Sequence, residues 1–198
     1  LVEGVEGYLR KTGHQEVVIG LSGGIDSALT AVVAAAAIGP ERVTGVLMPS
    51  RWSSVGSVED ARELARRVGM RTLELPIESL HAGVLETLTD AGATATGVTD
   101  QNVQARLRGL LLMALANERN ALALATGNKS ELAMGYATLY GDMNGALAVL
   151  GDVYKTEVQA MSRWVNDHPA LAGFQTPPIP EATITKPPSA ELAPDQID

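Results

Sequence analysis

The sequence predicts an α/β fold, an open, doubly wound parallel sheet with helices on both faces. Three observations predict it. Four short runs rich in β-branched residues or leucine recur along the chain. Each is followed by a turn and a longer segment of helical character, the alternation that builds parallel sheets. Finally, a glycine-rich turn separates the first run from its helix.

The first run is Glu16 to Leu21, and the segment Ser27 to Ile38 after the turn is alanine-rich and apolar on all sides. Such a helix belongs between the sheet and a further layer. The second run, Arg42 to Met48, leads to a helix expected to start near Ser57. There Ser57, Glu59 and Asp60 offer an N-cap and early acidic residues before the stripe Ala61, Leu64, Ala65 and Val68. The third run, Arg71 to Ile77, precedes a short helix over Glu78 to Leu88. Residues 90–99 are rich in Gly, Ala and Thr and read as a mobile connection. It enters the longest helix, Asp100 to Glu118, whose apolar face carries Val103, Leu107, Leu110, Leu111, Ala114 and Leu115. That face suits either a thick core or the sheet plus a second subunit. The fourth run is Asn120 to Thr126; a glycine-punctuated loop, Gly135 to Gly151, and a helix over Thr156 to Asn166 follow.

Composition narrows the function classes. With 198 residues and 45% hydrophobic content, the chain can close one sizeable core. Residues 1–185 form the expected domain and 186–198 a Pro-rich tail. A net charge of −8 without a basic patch argues against nucleic-acid binding. The absence of cysteine excludes a thiol nucleophile, a disulfide framework and a Cys-based metal site. His14, His81 and His168 lie far apart and read as structural or surface residues. The apolar runs Ala31 to Ile38 and Leu110 to Ala116 fall short of the ~18 residues a membrane span needs, and no secretory leader is recognisable. A soluble, cytoplasmic protein is expected. The first residue is Leu1 and the sequence stops in the polar tail, so both ends are expected to continue into a longer protein.

Two motifs carry chemistry. The first run ends in Ser22-Gly23-Gly24-Ile25-Asp26-Ser27. A strand, a glycine-rich turn and a helix form an anion-binding arrangement, because backbone N–H groups at the helix start can point at a ligand. The Gly-Lys-Ser/Thr ending of a Walker A loop is missing, and Asp26 stands there instead. An acidic residue beside phosphates makes sense with a divalent cation between them. The alternative is a tight turn in which Asp26 and Ser27 merely cap the helix. The second motif is Thr126-Gly127-Asn128-Lys129-Ser130-Glu131 at the end of the fourth run, followed by Gly135-Tyr136 and Tyr140-Gly141-Asp142. Ligands of open parallel sheets collect at strand carboxyl ends, so Glu131 can face the same phosphates as Asp26. Lys129 and Lys155 offer positive charge and Thr126 a hydroxyl. Read alone, Gly127-Asn128 is a plain turn, and Lys129 with Glu131 a solvated helix start. Arg106 and Arg108 can equally lie on the wet face of a helix. Tyr136 and Tyr140 are either core-edge residues or rings that stack on a bound base.

Ser22 to Ser27 resembles the pyrophosphate-binding loop of the ATP-pyrophosphatase superfamily. Its members cleave ATP between the α- and β-phosphates and activate a carboxylate or carbonyl oxygen with AMP. The block 126–131, the Gly-Tyr and Tyr-Gly-Asp that follow, the stretch Asn102 to Arg108, and Lys186-Pro187-Pro188-Ser189-Ala190-Glu191-Leu192 resemble the signature of NAD⁺ synthetases. The likeness runs from Glu16 to Asp195 and is strongest to the long, glutamine-dependent members. The resemblance implies an adenine-nucleotide alpha-hydrolase-like fold and an amidase domain upstream. It implies amidation of deamido-NAD⁺ through a nicotinate adenylate, with ammonia or glutamine as nitrogen donor and a homo-oligomeric assembly. Gly20, Leu21, Ser22, Gly23, Gly24, Ile25, Asp26, Ser27, Thr126, Lys155 and Ser189 match ATP contacts. Asp26 and Glu131 match Mg²⁺ ligands, and with Lys155 they are the expected catalytic groups. Asn102, Arg106, Glu131, Tyr136, Ala137, Thr138 and Leu139 match deamido-NAD⁺ contacts. Leu139 and Ala146 depart from the lysine and aspartate of the short ammonia-dependent members. Asp142 is a candidate proton acceptor from ammonium. Another adenylating amidotransferase, such as a GMP-synthetase-like enzyme, and a non-catalytic nucleotide-binding domain are the rival readings.

Overall fold

The four expected runs form β1 (Val17–Gly20), β2 (Val43–Leu47), β3 (Arg71–Glu74) and β4 (Leu122–Ala125) in a computed structural model that describes residues 1–187 and 189–193. A two-residue strand, β5 (Leu147–Ala148), completes a parallel sheet in the order β3-β2-β1-β4-β5. Val17 lies opposite both Val43 and Leu122, which fixes the register of the three central strands.

Strand side chains alternate between two cores, as a period of two requires. Val17, Ile19, Val43, Leu47, Leu122 and Leu124 face one side. They pack there with α1 (Val2–Thr12), α2 (Ile25–Ile38), α3 (Val55–Val68), α7 (Lys155–Asp167) and α8 (Glu181–Thr185). Val18, Val46 and Ala123 face the other side, against Leu112 and Ala116 of α5 (Val98–Arg119). The helix α4 (Glu78–Asp90) packs on α5, and a short helix, α6 (Lys129–Met134), follows β4. The expected doubly wound sheet is therefore present. The chain leaves β1 and β2 toward one face and returns to β4 by way of the other, which makes the gap between β1 and β4 the topological switch point. As expected, α2 is buried nearly all round, between the sheet and the helices outside it.

The structure corrects several expectations. Helix α1 was not foreseen: Gly4 and Gly7 weaken its helical signal, and burial of Val5 and Leu9 against α2 offsets that loss. Helix α3 starts at Val55, and its N-cap is Ser54, whose hydroxyl accepts from Ser57 N–H at 3.1 Å. Ser57 is inside the helix and buried, so the expected cap there is displaced by one turn. On α5 the buried residues are Gln104, Ala105, Leu107, Gly109, Leu112 and Ala116, whereas Leu110 and Ala114 are exposed. The inward face is marked partly by a glutamine and a glycine, which apolar periodicity does not register. The expected structural role of the histidines is met at His81, buried with Nε2 2.8 Å from Asp100 Oδ1. Pro188 and residues 194–198 of the expected tail lie outside the described residues.

Candidate active site

The glycine turn between β1 and α2 is tied to itself. Ser22 Oγ accepts from Gly24 N–H at 3.1 Å and lies 3.2 Å from Ser27 Oγ, which donates to the Gly24 carbonyl at 3.0 Å. Asp26 and Ser27 are thus within the helix rather than capping it; Gly24 is the N-cap and makes no side-chain cap bond. Gly23 has φ 79°, and a Cβ there would come within 2.2 Å of the Ser57 carbonyl oxygen. The turn therefore seats directly on the start of α3, and only glycine permits the approach.

Across the switch point, Asn128 caps α6. Its Oδ1 accepts from Glu131 N–H at 3.0 Å, and its own N–H donates to Glu131 Oε2 at 3.0 Å, a reciprocal capping box. The Asn128 Nδ2 donates to Asp26 Oδ1 at 2.8 Å, while Lys155 Nζ, from the first residue of α7, ion-pairs with Asp26 Oδ2. Lys155 N–H in turn donates to Ser130 Oγ at 3.1 Å. Burial pushes the Glu131 carboxyl above its ordinary range, and the nearby Asp26 charge adds to the rise. Lys129 is turned elsewhere, paired with Asp152 at 2.5 Å and 4.9 Å over the Tyr154 ring. It is not the phosphate-facing cation expected from sequence.

The segment after α8 straps this region. Glu191 accepts from Ser54 N–H at 3.0 Å and from the Ser54 and Ser57 hydroxyls at 2.7 Å each. Lys186 Nζ reaches Ser57 Oγ at 3.1 Å and Asp60 at 2.9 Å. The Leu192 carbonyl accepts from the buried Gln104 at 3.0 Å. The first turn of α3 has no acidic residue of its own, and Glu191 supplies that charge from outside. Opposite, Arg108 Nε donates to the Met48 carbonyl at 3.0 Å, and burial pulls its guanidinium pKa down to about 10.

Together these pieces enclose a cavity of about 480 Å³. Of the expected site residues, Gly20, Leu21, Ser22, Gly24, Ile25, Asp26, Ser27, Thr126, Glu131, Tyr136, Thr138, Lys155 and Ser189 line it. Gly23 supports the wall from behind, against Ser57. Asn102, Arg106, Ala137 and Leu139 do not line it; Asn102 and Arg106 are tied to the neighbouring loop, with Thr138 Oγ1 donating to Asn102 Oδ1 at 2.7 Å and Arg106 Nε to the Leu139 carbonyl at 3.2 Å. Tyr140 is largely exposed with φ 64°, so of the two tyrosines only Tyr136 faces the cavity. Asp142 Oδ1 accepts from Thr138 N–H at 2.6 Å, and burial raises its carboxyl pKa. Asn128, Arg108, Lys186 and Glu191 lie in the motif blocks named from sequence, but sequence reasoning gives them no role at the site. Only Asn128 had a local signal, the Asn-x-x-Glu capping pattern.

Asp26 and Glu131 offer a hard, all-oxygen donor pair. Among the described residues no group of three or more His, Cys, Asp or Glu side chains could hold a metal by itself. Two carboxylates beside a glycine-rich turn and a free helix N-terminus suit Mg²⁺, which is usually held by one or two carboxylates, water and substrate phosphates rather than by a protein cage. The mutual repulsion that helps to raise the Glu131 pKa is what a divalent cation between the carboxylates relieves.

An uncapped helix N-terminus after a glycine turn, with two carboxylates and a lysine converging at the switch point of a parallel sheet, marks an α/β domain whose cleft suits an anionic, phosphate-bearing ligand. Within that class the chain belongs to the NAD synthase family, whose profile matches residues 1–198. It is 51% identical over 199 residues to the glutamine-dependent NAD(+) synthetase of Thermotoga maritima, covering 100% of this chain and 34% of that relative. The chain thus spans about a third of the length of the curated relatives it matches. The structure of glutamine-dependent NAD⁺ synthetase from Acinetobacter baumannii in complex with ADP superimposes with a TM-score of 0.88 at 46% identity, over 96% of this chain and 36% of that one. The NMN synthetase of Francisella tularensis superimposes with a TM-score of 0.87 at 28% identity, over 100% of this chain and 76% of that one.

Proposed function

We propose that this domain amidates deamido-NAD⁺ to NAD⁺ in an ATP-dependent reaction through a nicotinate adenylate, releasing AMP and pyrophosphate. The observation that carries the reading is the convergence of Asp26, Glu131 and Lys155 on the uncapped N-terminus of α2 in a chain of the NAD synthase family.

In this reading the turn Gly20 to Ser27 binds the ATP phosphates, with Thr126 and Ser189 as further ATP contacts. Asp26 and Glu131 hold Mg²⁺, which when bound neutralises phosphate charge. Tyr136 to Leu139, together with Asn102, Arg106 and Glu131, bind deamido-NAD⁺. The nicotinate carboxylate attacks the α-phosphorus in line and pyrophosphate leaves. The N–H groups of α2 and the Lys155 ammonium stabilise the departing charge, and holding both substrates in place at one cleft does much of the remaining work. Ammonia then attacks the adenylate, giving the amide and AMP. The nitrogen comes from free ammonia or from glutamine through an amidase domain of the longer protein, and the working form is a cytoplasmic homo-oligomer. Among the described residues no helix is long and apolar enough to cross a membrane.

The likeness to an NMN synthetase along the whole chain supports a second substrate, nicotinate mononucleotide. ATP–pyrophosphate exchange by the full-length protein with each acceptor tests both. Exchange dependent on deamido-NAD⁺ is expected. Exchange dependent only on nicotinate mononucleotide would move the assignment to the shorter acceptor. Exchange only with xanthosine monophosphate, or none at all, would overturn amidation of nicotinate nucleotides.

Asp142 is the expected proton acceptor for ammonium, because its raised pKa makes it a stronger base than an ordinary aspartate. In Asp142→Asn, exchange is expected to persist while single-turnover amide formation falls by about 10²- to 10⁴-fold. The base must be ionised. The wild-type amidation rate is therefore expected to fall on acidification at a pH above the ordinary aspartate value of ~3.9, a limb the variant lacks. Undiminished amide formation would remove Asp142 from the mechanism.

A further inference from the structure

We propose that Asn128 is a positioning residue that sets the two carboxylates Asp26 and Glu131 at a fixed separation and orientation for a divalent cation. The inference rests on the metal-dependent nucleotide site proposed above and assigns it a new member.

Asn128 has no solvent exposure; its main-chain N–H and both polar atoms of its side chain point at the two acids, while its carbonyl accepts from Leu132 N–H at 3.2 Å within α6. Its main-chain N–H pins Glu131 Oε2, its Oδ1 holds the Glu131 main chain, and its Nδ2 pins Asp26 Oδ1. Capping α6 requires only the acceptor oxygen, which serine, threonine or aspartate would provide equally well. The donor nitrogen is surplus to that task. Among the favoured caps, only asparagine carries an acceptor and an N–H donor on one short side chain. The donor is spent on Asp26, 102 residues away across the switch point.

This bridge differs in kind from the Lys155 contact on the other oxygen of Asp26. Lys155 brings a positive charge to Asp26, whereas Asn128 holds it without adding any charge to the site. One neutral side chain thus couples the end of β1 to the end of β4 and keeps two like charges close together. Loss of a side chain that orients metal ligands typically costs about 10- to 100-fold in metal affinity.

The test uses the full-length protein carrying Asn128→Ser, with Asn128→Thr alongside as a second hydroxyl cap. The readouts are Mn²⁺ binding in the presence of a non-hydrolysable ATP analogue, thermal melting, and the Mg²⁺ dependence of ATP–pyrophosphate exchange. Both variants keep an acceptor for Glu131 N–H, so melting near the wild-type temperature is expected. Mn²⁺ affinity is expected to fall at least about tenfold, with a matching rise in the Mg²⁺ concentration needed for half-maximal exchange. In an Asp26→Asn background the same substitutions are expected to cause no further loss of Mn²⁺ affinity, because the effect travels through Asp26. A folded variant with wild-type Mn²⁺ affinity would reduce Asn128 to a helix cap and overturn the proposal, as would an undiminished effect in the Asp26→Asn background. Mn²⁺ binding needs no deamido-NAD⁺, so a failed acceptor assignment leaves this result readable. No Mn²⁺ binding by the unaltered protein would overturn the metal reading and this inference with it.

Discussion

Asp26→Asn is expected to lower kcat for amidation by at least about two orders of magnitude while the protein melts near its normal temperature. The substitution keeps the shape of a mostly buried side chain and keeps one oxygen for the Asn128 amide. It removes the charge that would draw a divalent cation to the turn. It also replaces the oxygen facing Lys155 with an N–H₂ group, so two donors confront each other and Lys155 loses its fixed position. Metal affinity and the fixed cation are therefore weakened together, and transition-state charge is poorly supported where its stabilisation is usually the largest single contribution. Steady-state kinetics across a Mg²⁺ titration checks this. Near-normal turnover at ordinary Mg²⁺ would refute a shared metal site.

Gly23→Ala is expected to damage both stability and nucleotide binding. At φ 79° a residue with a Cβ costs roughly 1–2 kcal/mol. The new Cβ also meets Ser57 backbone atoms at 2.2, 2.8 and 2.9 Å, and none of these is the tip of a flexible side chain. Either the turn or the start of α3 must move. At ~2–4 °C per kcal/mol for a domain of this size, the strain alone lowers the melting temperature by about 2–8 °C, and the clash adds to that. A rise of at least about tenfold in KM for ATP should accompany it, since a displaced turn no longer presents the α2 N-terminus. A variant with wild-type melting and KM would show that the turn tolerates the displacement.

The fold was legible where a short-range pattern coincided with a long-range need. The four main strands stand out because β-branched or leucine-rich runs alternate with helices; β1, β2 and β4 are also buried from both faces, whereas the edge strand β3 is largely exposed. Helix α1 was hidden by Gly4 and Gly7, and β5 by its two-residue length. The burial that stabilises each is contributed by other parts of the chain. The same distinction holds at the site. Ser22 to Ser27 is contiguous and could be read directly, and so could Glu131 once Asn128-x-x-Glu131 is recognised as a cap. The partnership of Asn128 with Asp26, the burial of Arg108 and the grip of Glu191 on Ser54 join residues 102, 60 and 137 positions apart. No local periodicity encodes such pairs. For Arg108 the sequence leaves a wet-face position open, whereas it sits largely buried against the end of β2.

The sheet order carries a consequence for how the protein acquires its activity. β1 pairs with β4 across most of the length of the domain, and the ion pair between Asp26 and Lys155 closes a loop of 129 residues. Parallel pairings of such separation form late, since the entropy of closing the loop is lost before the contacts reward it. A nascent chain that has released only its first helices from the ribosome already holds the glycine turn, yet lacks the lysine, the amide and the second acid. Nucleotide can then reward only the finished arrangement. In the proposed function, ATP binding is thereby linked to completion of the sheet, and it would shift the equilibrium away from partly folded forms as its concentration rises above its dissociation constant.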